Sequence, residues 1–512
     1  MPIALLPTLA KAAEAIMHDR LSGHITDNNL ISDRQAAYLK GDSTIQQLLY
    51  IIDIIRKSWT KGCITQGIFL DVSAAFDKCW HKGLLAKLKQ AKVEKRCYYL
   101  FESYLSNRFQ CTVVDGVKSQ FKEIKAGIPQ GSKLGPILWL LYVNDIIKDI
   151  ESEILLFADD TCCFAVGHDP AETAVILNRD LERLDAWANK WKVTFNPGKS
   201  KDLIFSEKKV LFNSPPLILG GIYVDRVHEH KHLGIYLSSS LSWARQCHEV
   251  TLRANRKLAV LRSIRYLKRS TLDLLYKVCL RSVIEYGLVL YWHTLKPTEA
   301  ARINQIQYRA SKLCSGALHF TNQSRLEADL SWETIADRAK LLGLCIFHKI
   351  HLFQTRPLIR RCMPKLNTNI TRQSGTYIQF RYYGLKYKNS FFPYFSVLWS
   401  KQKSSIRCEP DINVFKTCLK EMYKPKKQRH YNYGNKLANS LLCRLRVGRS
   451  MLKSHGFAIN LSSTDRCFCG EIDDIKFFFV FLLYMARRKT RFIPKTKSNS
   501  TKLFSKIRQK PM

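Results

Sequence analysis

The spacing of apolar residues predicts two kinds of helix in the first 200 positions of the chain. Residues 1–60 are predicted to be helical, because Leu48, Ile51, Ile52 and Ile55 recur close to the helical period. A later stretch with three-or-four spacing is typical of an amphipathic helix that covers one face of a sheet. Its apolar positions are Ala174, Leu177, Leu181, Leu184, Ala188 and Trp191.

Strand-like apolar runs lie between these helices. One run, 67–70, ends at an aspartate, and the runs 154–158 and 162–166 enclose a pair of adjacent aspartates. The alternating segment 110–114 leads into Asp-Gly, a strong hairpin signal, and a returning strand is predicted at 118–124. Most connections between the strands are hairpins or long helical returns, which favours an α+β fold with an antiparallel sheet.

The pattern changes to helical and basic from about residue 245 to 350. Apolar positions such as Leu258, Leu261 and Ile264 alternate with cations that include Arg253, Arg256 and Lys257. A helical region that grips a nucleic-acid backbone has this character, although a run of charge is also typical of a plain solvated helix face.

Three aspartates at strand ends indicate phosphoryl-transfer chemistry. Asp71 ends one apolar run, and Asp159 and Asp160 connect two others. At a tight hairpin turn, both carboxylates of an adjacent pair can reach one edge, whereas within a strand they point to opposite faces. A few carboxylates suffice to hold two Mg²⁺ ions that stabilise the attacking and leaving oxygens. Taken alone, the aspartate pair is better explained as an ordinary solvated turn, and the other motifs favour the functional interpretation.

A glycine-rich loop lies between these acidic sites. Residues 126–136 read Ala-Gly-Ile-Pro-Gln-Gly-Ser-Lys-Leu-Gly-Pro and precede an apolar, helix-like run. Glycines allow a backbone to approach a ligand closely, and a helix N-terminus suits phosphates. An ordinary loop-to-helix connection with proline near the first turn explains the loop equally well.

The order of these segments resembles motifs A, B and C of reverse transcriptases, in the form found in non-LTR retrotransposons of the LINE type (jockey-like elements). The segments are Phe-Leu-Asp-Val-Ser-Ala-Ala-Phe-Asp at 69–77, the loop at 126–136 and Phe-Ala-Asp-Asp at 157–160. Further stretches resemble other conserved parts of the family. They lie at 35–44, 104–108, 191–200, 232–237 and 241–243.

The resemblance implies the right-hand polymerase fold, which is an α+β fold with partial fingers, an antiparallel-sheet palm with helices, and a helical thumb. Fingers and palm are expected at 1–240 and the thumb at 241–350. A basic C-terminal region is expected at 351–512, with a disordered tail from Arg487 onward.

The resemblance also implies roles for single residues. Asp71 and Asp159 would hold two Mg²⁺ ions, for which Mn²⁺ can substitute, with Asp160 and the Val72 carbonyl beside them. Lys199 would protonate the leaving pyrophosphate, a step worth typically ~10²–10⁴-fold. A solvated loop lysine explains this position nearly as well.

The remaining implied roles concern the nucleotide and the nucleic acid. Phe76 occupies the steric-gate position that selects deoxynucleotides, unless it is simply a core aromatic. Gln130 and Gly131 would line the contact with nucleotide and template. The expected nucleic-acid contacts are Arg108, Arg253, Arg256 and Lys257.

Composition supports a nucleic-acid partner. The 512 residues contain 82 Lys+Arg against 42 Asp+Glu, a net charge of +40 with pI ≈ 9.8. Such a charge attracts phosphate backbones in a salt-dependent way. A membrane surface is the competing partner, but the cations alternate with aromatic residues, which suits a groove that follows a strand. The apolar run 477–485 is too short to span a bilayer, so we expect no membrane partner.

The cysteines indicate a reduced compartment. There are 16 of them without regular spacing, and several lie in apolar segments. No basic leader precedes the N-terminal apolar stretch, so the sequence predicts an intracellular protein of the cytoplasm or nucleus. The partners implied by the resemblance are an RNA template, a DNA primer, the RNA–DNA hybrid and dNTPs.

Three departures from the family pattern qualify the expectation. The chain begins at Met1-Pro2-Ile3, where the family has an arginine that contacts the triphosphate, so it resembles a truncated copy or a gene model that starts late. Cys467 and Cys469 resemble the start of a zinc knuckle whose other ligands are missing, so no zinc is expected. Lys133 replaces a small apolar residue of the family.

Two hypotheses therefore stand at this stage. The first is an RNA-directed DNA polymerase that extends a primer 3′-OH, supported by the intact aspartates. The second is an inactive retrotransposon relict that only binds RNA or RNA–DNA hybrid, supported by the missing arginine.

Overall fold

The structure, a computed structural model, describes residues 4–207, 215–318, 321–355, 357–367, 376–378, 385–423, 440 and 443. The chain divides into two units. The first unit comprises Met1–Lys257, Cys279–Ile306 and Glu333–Lys424. The second unit comprises Leu258–Val278, Gln307–Trp332 and Pro425–Met512.

A five-stranded sheet organises the first unit. The strands of the described chain are β1 Ile64–Leu70, β2 Phe109–Gln110, β3 Val113–Val114, β4 Val117–Lys118, β5 Lys122–Glu123, β6 Glu153–Phe157, β7 Asp160–Gly167, β8 Lys201–Phe205, β9 Ile218–Leu219, β10 Ile222–Tyr223, β11 Asp225–Arg226, β12 Glu229–His232 and β13 Ile235–Ser238. The sheet order is β11-β8-β1-β7-β6, in which β11 pairs with β8 in parallel and the other neighbours are antiparallel. The other strands form two-stranded hairpins and ribbons.

Nineteen α-helices are assigned in the described residues. They are α1 Thr8–Asp27, α2 Thr44–Thr60, α3 Ala75–Lys78, α4 His81–Gln90, α5 Lys95–Leu105, α6 Leu134–Val143, α7 Pro170–Trp191, α8 Ala244–Ser263, α9 Arg269–Leu275, α10 Ser282–Glu285, α11 Leu288–Tyr291, α12 Pro297–Ser315, α13 Gln323–Leu330, α14 Ile335–His351, α15 Pro357–Arg360, α16 Leu385–Lys388, α17 Phe391–Ser400, α18 Ser404–Arg407 and α19 Ile412–Tyr423. Single turns of other helix types lie at Asn144–Ile147, Tyr276–Arg281 and Trp292–Thr294.

Strand β1 is the centre of the sheet and is buried along its whole length. Neighbouring side chains of a strand point to opposite faces. Thr65 Oγ1 lies 2.7 Å from Ser58 Oγ on α2, whereas Gln66 Oε1 accepts a 2.7 Å hydrogen bond from Thr173 Oγ1 on α7. Helices α2 and α7 therefore cover opposite faces, which fixes β1 between two layers.

Local signals in the sequence define both covering helices. Asp169 caps α7 by accepting hydrogen bonds from the N–H groups of Ala171 and Glu172, and Pro170 occupies the first helical position. Ser43 caps α2 through the N–H of Gln46. These caps satisfy N–H groups that have no partner within the helix.

Several sequence predictions are confirmed here. The amphipathic helix at 174–191 is α7, and the Asp-Gly hairpin joins β3 to β4. The helical prediction for 1–60 holds for α1 and α2 but not for 28–43, which forms turns and extended segments. The mixed helix-and-sheet class is also confirmed, although one strand pair is parallel.

The second unit contains its own buried contacts. Tyr276 and Trp332 stack with ring centroids 3.8 Å apart, and the Tyr276 hydroxyl donates to Gln307 Oε1 at 2.6 Å. Arg269 and Asp329 form a buried ion pair at 2.7 Å. The predicted boundaries near 240 and 350 are not tested by this division and stay a prediction.

Candidate active site

Three aspartates meet at one end of the five-stranded sheet. The antiparallel register pairs Leu70 of β1 with Thr161 of β7, so Asp71 lies across from Asp160 at the next position. Asp160 is also paired with Phe157 of β6 across the β6–β7 turn. The topology thus brings Asp71 to the pair that the sequence analysis grouped with it.

The β6–β7 turn differs by one residue from the prediction. The two connecting residues are Ala158 and Asp159, and Asp160 is already the first residue of β7. Ala158 has a left-handed φ of 60° and Asp159 does not, which is the φ pattern of a type II′ hairpin. This turn contains no glycine, and it places the side chains of Asp159 and Asp160 at the same end of the sheet as Asp71.

The charges of the three carboxylates interact. Partial burial, as the largest cause, and the charges of Asp159 and Asp71 together raise the pKa of Asp160 to about 6. Like charges held this close disfavour the ionised form. A divalent cation would relieve this repulsion, so the charge distribution fits a cation site.

The donor chemistry fits a metal, but the described residues form no ready-made cage. Carboxylate and carbonyl oxygens are the ligands that Mg²⁺ prefers, and it usually takes only one or two from protein carboxylates. Within the described part of the chain, no group of three or more His, Cys, Asp or Glu side chains is arranged to hold a metal ion. Asp71, Asp159 and Asp160 could supply its ligands only together with other oxygens.

Lys199 approaches the same end of the sheet on the loop after α7. Its Nζ lies 4.0 Å from Asp71 Oδ2, and its side chain is 71% exposed. The loop is anchored to β1 by the hydrogen bond from Asn196 N–H to Asp71 O, at 2.8 Å, and by Ser200 Oγ, which accepts from Asp71 N–H at 3.2 Å. An exposed ammonium group is thus held beside Asp71.

Phe76 and the glycine-rich loop lie next to each other. The Phe76 ring stacks on Trp139 of α6 with centroids 5.9 Å apart, and its carbonyl accepts a hydrogen bond from Ile128 N–H at 2.9 Å. Phe76 is half-buried, so part of its ring faces solvent. Val72 is bridged to Phe195, which holds its backbone beside the Lys199 loop.

The glycine-rich loop borders a cavity of about 470 Å³. Gln130, Arg108 and Asp77 all line this cavity. Gly131 is exposed and has φ of 98°, a conformation that favours glycine. Gln130 is further tied to the N-terminal segment, because its carbonyl accepts from Ala4 N–H at 2.8 Å.

Three cations lie together on one exposed face of α8. Arg253, Arg256 and Lys257, called the α8 cations below, are all exposed, and positions three and four apart on a helix share a face. Ala254 between them is fully buried. The sequence analysis placed these residues on a helix, and the structure agrees.

Other residues at the site were missed by the sequence analysis. Tyr38 has φ of 55°, and burial and the Asp159 charge raise its pKa, which shows that its hydroxyl lies within electrostatic reach of Asp159. Buried Glu14 of α1 accepts hydrogen bonds from the Tyr104 hydroxyl at 2.8 Å and Lys133 N–H at 2.9 Å. No periodicity signals such contacts, because each partner is distant in sequence.

The unusual Lys133 has a simple structural explanation. Its Nζ forms a 3.0 Å ion pair with Asp19 of α1. Both side chains are well exposed, so water screens the pair and it contributes little to stability. The Cys467–Cys469 segment and the tail from Arg487 lie outside the described residues.

No helix in the described segments is both long and apolar enough to cross a membrane.

Comparison with known proteins agrees with the geometry. Residues 1–237 match the family described as reverse transcriptase (RNA-dependent DNA polymerase). The chain is 28% identical over 345 residues to the probable RNA-directed DNA polymerase from transposon X-element of Drosophila melanogaster. It is 28% identical over 350 residues to the RNA-directed DNA polymerase from mobile element jockey of the same species. Each alignment covers 66% of this chain but only 38% of the relative.

Solved structures give a weaker likeness. Telomerase from Candida albicans in complex with a fragment of telomeric RNA aligns with 59% of this chain and 56% of that chain, at 12% identity and a TM-score of 0.34. A score of this size does not show a shared fold.

Proposed function

Since residues 1–237 form a reverse transcriptase domain related to those of jockey-type non-LTR elements, we propose that the chain is an RNA-directed DNA polymerase. It extends the 3′-OH of a DNA primer with dNTPs on an RNA template, as a step of retrotransposition. The observation that carries the proposal is the register of β1 and β7, which sets Asp71 across from Asp160 beside Asp159.

The aspartates supply the ligands of the reaction's metal ions. Asp71 and Asp159, with Asp160 and the Val72 carbonyl nearby, would hold two Mg²⁺ ions, or Mn²⁺ in their place. The bound ions would supply positive charge for the attacking 3′-oxygen and the leaving pyrophosphate. The raised pKa of Asp160 supports this role, since carboxylates that repel one another gain most from a bound cation.

Lys199 acts on the leaving group. Its exposed ammonium, 4.0 Å from Asp71, can swing to the pyrophosphate and donate a proton to it. The same positive charge offsets the negative charge that develops there.

Phe76 and the glycine-rich loop select and orient the substrates. The half-buried Phe76 ring, supported by Trp139, blocks the space that a ribose 2′-OH needs. Gln130, Gly131 and Arg108 contact nucleotide and template along the cavity that Gln130 and Arg108 line. The α8 cations hold the backbone of the RNA–DNA hybrid, which proteins recognise mainly by shape and phosphate.

Primer extension tests the proposal. The full chain should extend oligo(dT) on poly(rA) in Mg²⁺ or Mn²⁺, and Asp159→Asn should abolish the product. The matched control is Asp149→Asn, which should leave primer extension intact. Asp149 is exposed and has a left-handed φ, a conformation that asparagine also tolerates.

Two outcomes contradict the proposal. Product that is unchanged in Asp159→Asn refutes the assignment of the site. Salt-sensitive binding of the hybrid without any extension identifies the chain as a nucleic-acid-binding relict instead.

A further inference from the structure

The main chain of Ala158, at the head of the turn that bears Asp159, is held on both sides of its Cα. Its N–H donates to Gln35 Oε1 at 3.1 Å, and its carbonyl accepts from Trp139 Nε1 at 3.1 Å. Gln35 and Trp139 are each only 1% exposed. Neither residue belongs to the β6–β7 hairpin itself.

This turn requires external support. Ala158 occupies the first central position of the hairpin with φ of 60°, where glycine is preferred. A left-handed non-glycine residue costs ~1–3 kcal/mol and persists when its surroundings hold it. The next residue is Asp159, so any relaxation of Ala158 would move its carboxylate.

Gln35 is itself fixed against β6 by main-chain contacts. Leu156 N–H donates to Arg34 O at 3.0 Å, and Ala36 N–H donates to Leu156 O at 3.0 Å. The same Gln35 Oε1 that binds Ala158 also accepts from Ala37 N–H at 3.0 Å. The residues on both sides of Gln35 are thus paired with β6, and its side-chain oxygen accepts two hydrogen bonds.

We infer that Gln35 is a positioning residue for the catalytic carboxylates: its side-chain oxygen sets the β6–β7 turn so that Asp159 and Asp160 meet Asp71 in the arrangement that binds the divalent cation. The inference rests on the proposed function and deepens it. Gln35 is buried and acts through its hydrogen bond to the Ala158 N–H. Groups that orient metal ligands in this way typically change metal affinity or activity by ~10–100-fold.

The chain offers a matched control for a purely structural role. Gln47 of α2 is also buried, at 3% exposure, and its side-chain amide has no hydrogen-bond partner among the described residues. Gln35→Met and Gln47→Met remove the same chemical group from equally buried positions. Only the first leaves the Ala158 N–H without its acceptor.

Mn²⁺ binding, measured by electron paramagnetic resonance on the full chain, tests the inference independently of activity. We expect the dissociation constant to rise by ~10-fold or more in Gln35→Met and to stay within ~2-fold of the wild type in Gln47→Met. Gln35→Glu keeps an acceptor oxygen at the same reach and should recover most of the affinity. Primer extension by Gln35→Met should need correspondingly more Mg²⁺.

A second variant covers the case in which Gln35→Met does not fold. Trp139→Phe removes the hydrogen bond to the Ala158 carbonyl, the other support of this residue's main chain, so it should weaken Mn²⁺ binding in the same direction. Wild-type Mn²⁺ affinity in Gln35→Met overturns the inference. If Gln35→Met does not fold, wild-type Mn²⁺ affinity in Trp139→Phe overturns it instead. A loss of Mn²⁺ affinity in Gln35→Glu as large as that in Gln35→Met also overturns it.

The two proposals fail in different ways. A wild-type chain that binds Mn²⁺ but forms no product contradicts the polymerase function, while the comparison of Mn²⁺ affinities still decides the role of Gln35. A wild-type chain that binds no Mn²⁺ overturns both.

Discussion

The repulsion among the carboxylates predicts that Asp160→Asn stabilises the metal-free protein at neutral pH. Burial and the charges of Asp159 and Asp71 raise the pKa of Asp160 from 3.8 to about 6 in the folded chain. A carboxyl whose pKa rises on folding holds its proton more tightly in the folded state. The free energy of unfolding therefore falls as pH increases from about 4 to about 6, and stays lower above that.

The size of the effect follows from that rise. It corresponds to at most ~3 kcal/mol, at ~1.4 kcal/mol for each pH unit. Because a substantial part of the Asp160 residue remains in contact with water, which screens its charge, we expect ~1 kcal/mol. Asparagine carries no charge, so the variant should match the wild type near pH 4 and exceed it by ~1 kcal/mol at pH 7, a rise of ~1 °C in Tm for a chain of this length.

Thermal unfolding followed by circular dichroism from pH 4 to pH 8 measures this difference. The first series contains EDTA, and the second contains Mg²⁺. In the second series the wild type should gain stability with rising Mg²⁺ because the ion binds only the folded site, and Asp160→Asn should gain less. Asp149→Asn is the control and should follow the wild type in both series.

Two results would refute this reasoning. Parallel stability curves for Asp160→Asn and the wild type across the pH range would show that the carboxylates do not interact. Equal stabilisation of both proteins by Mg²⁺ would show that Asp160 does not contribute to the cation site.

Two further predictions concern the substrates. Phe76→Ala should lower the preference for dNTPs over rNTPs by ~10–200-fold, the range produced when contacts in a pocket are lost. The ratio of the kcat/KM values for the two nucleotide classes measures this preference. An unchanged ratio would contradict the role of Phe76 as the steric gate. Replacing all three α8 cations by glutamine should weaken binding of the RNA–DNA hybrid whatever its sequence, and should reduce the slope of log K against log salt by ~2–3. Fluorescence anisotropy at several salt concentrations measures this slope. An unchanged slope would mean that the duplex does not contact the α8 cations.

Sequence patterns between neighbouring residues account for the helices and hairpins that could be predicted from the sequence. The β3–β4 hairpin depends on an Asp-Gly pair, and α7 on its apolar spacing and its cap at Asp169. Such signals act between neighbours in the chain. The aspartates were found for a different reason, because their ordered segments resemble a known family.

Contacts between distant segments could not be predicted in this way. Gln35 supports a turn more than 120 residues later, and Glu14 joins α1 to the Lys133 N–H with a separation of 119 residues. A buried glutamine or glutamate has no periodic signature, since its partner is set by the packed fold. The shift of the turn to Ala158 and Asp159 has the same origin, because an alanine in left-handed conformation contradicts local preference and depends on Gln35 and Trp139.

The register of β1 against β7 has a consequence for how such a gene can change. Side chains of a strand alternate between faces, so one codon lost or gained within either strand would turn Asp71 or Asp160 to the wrong side. The exposed ribbon of β2–β5 carries no such constraint, since all of its strand residues face solvent. Length variation among descendants of this gene should therefore accumulate in the ribbon, and lineages that vary in length within β1 or β7 should be those that no longer keep the three aspartates together.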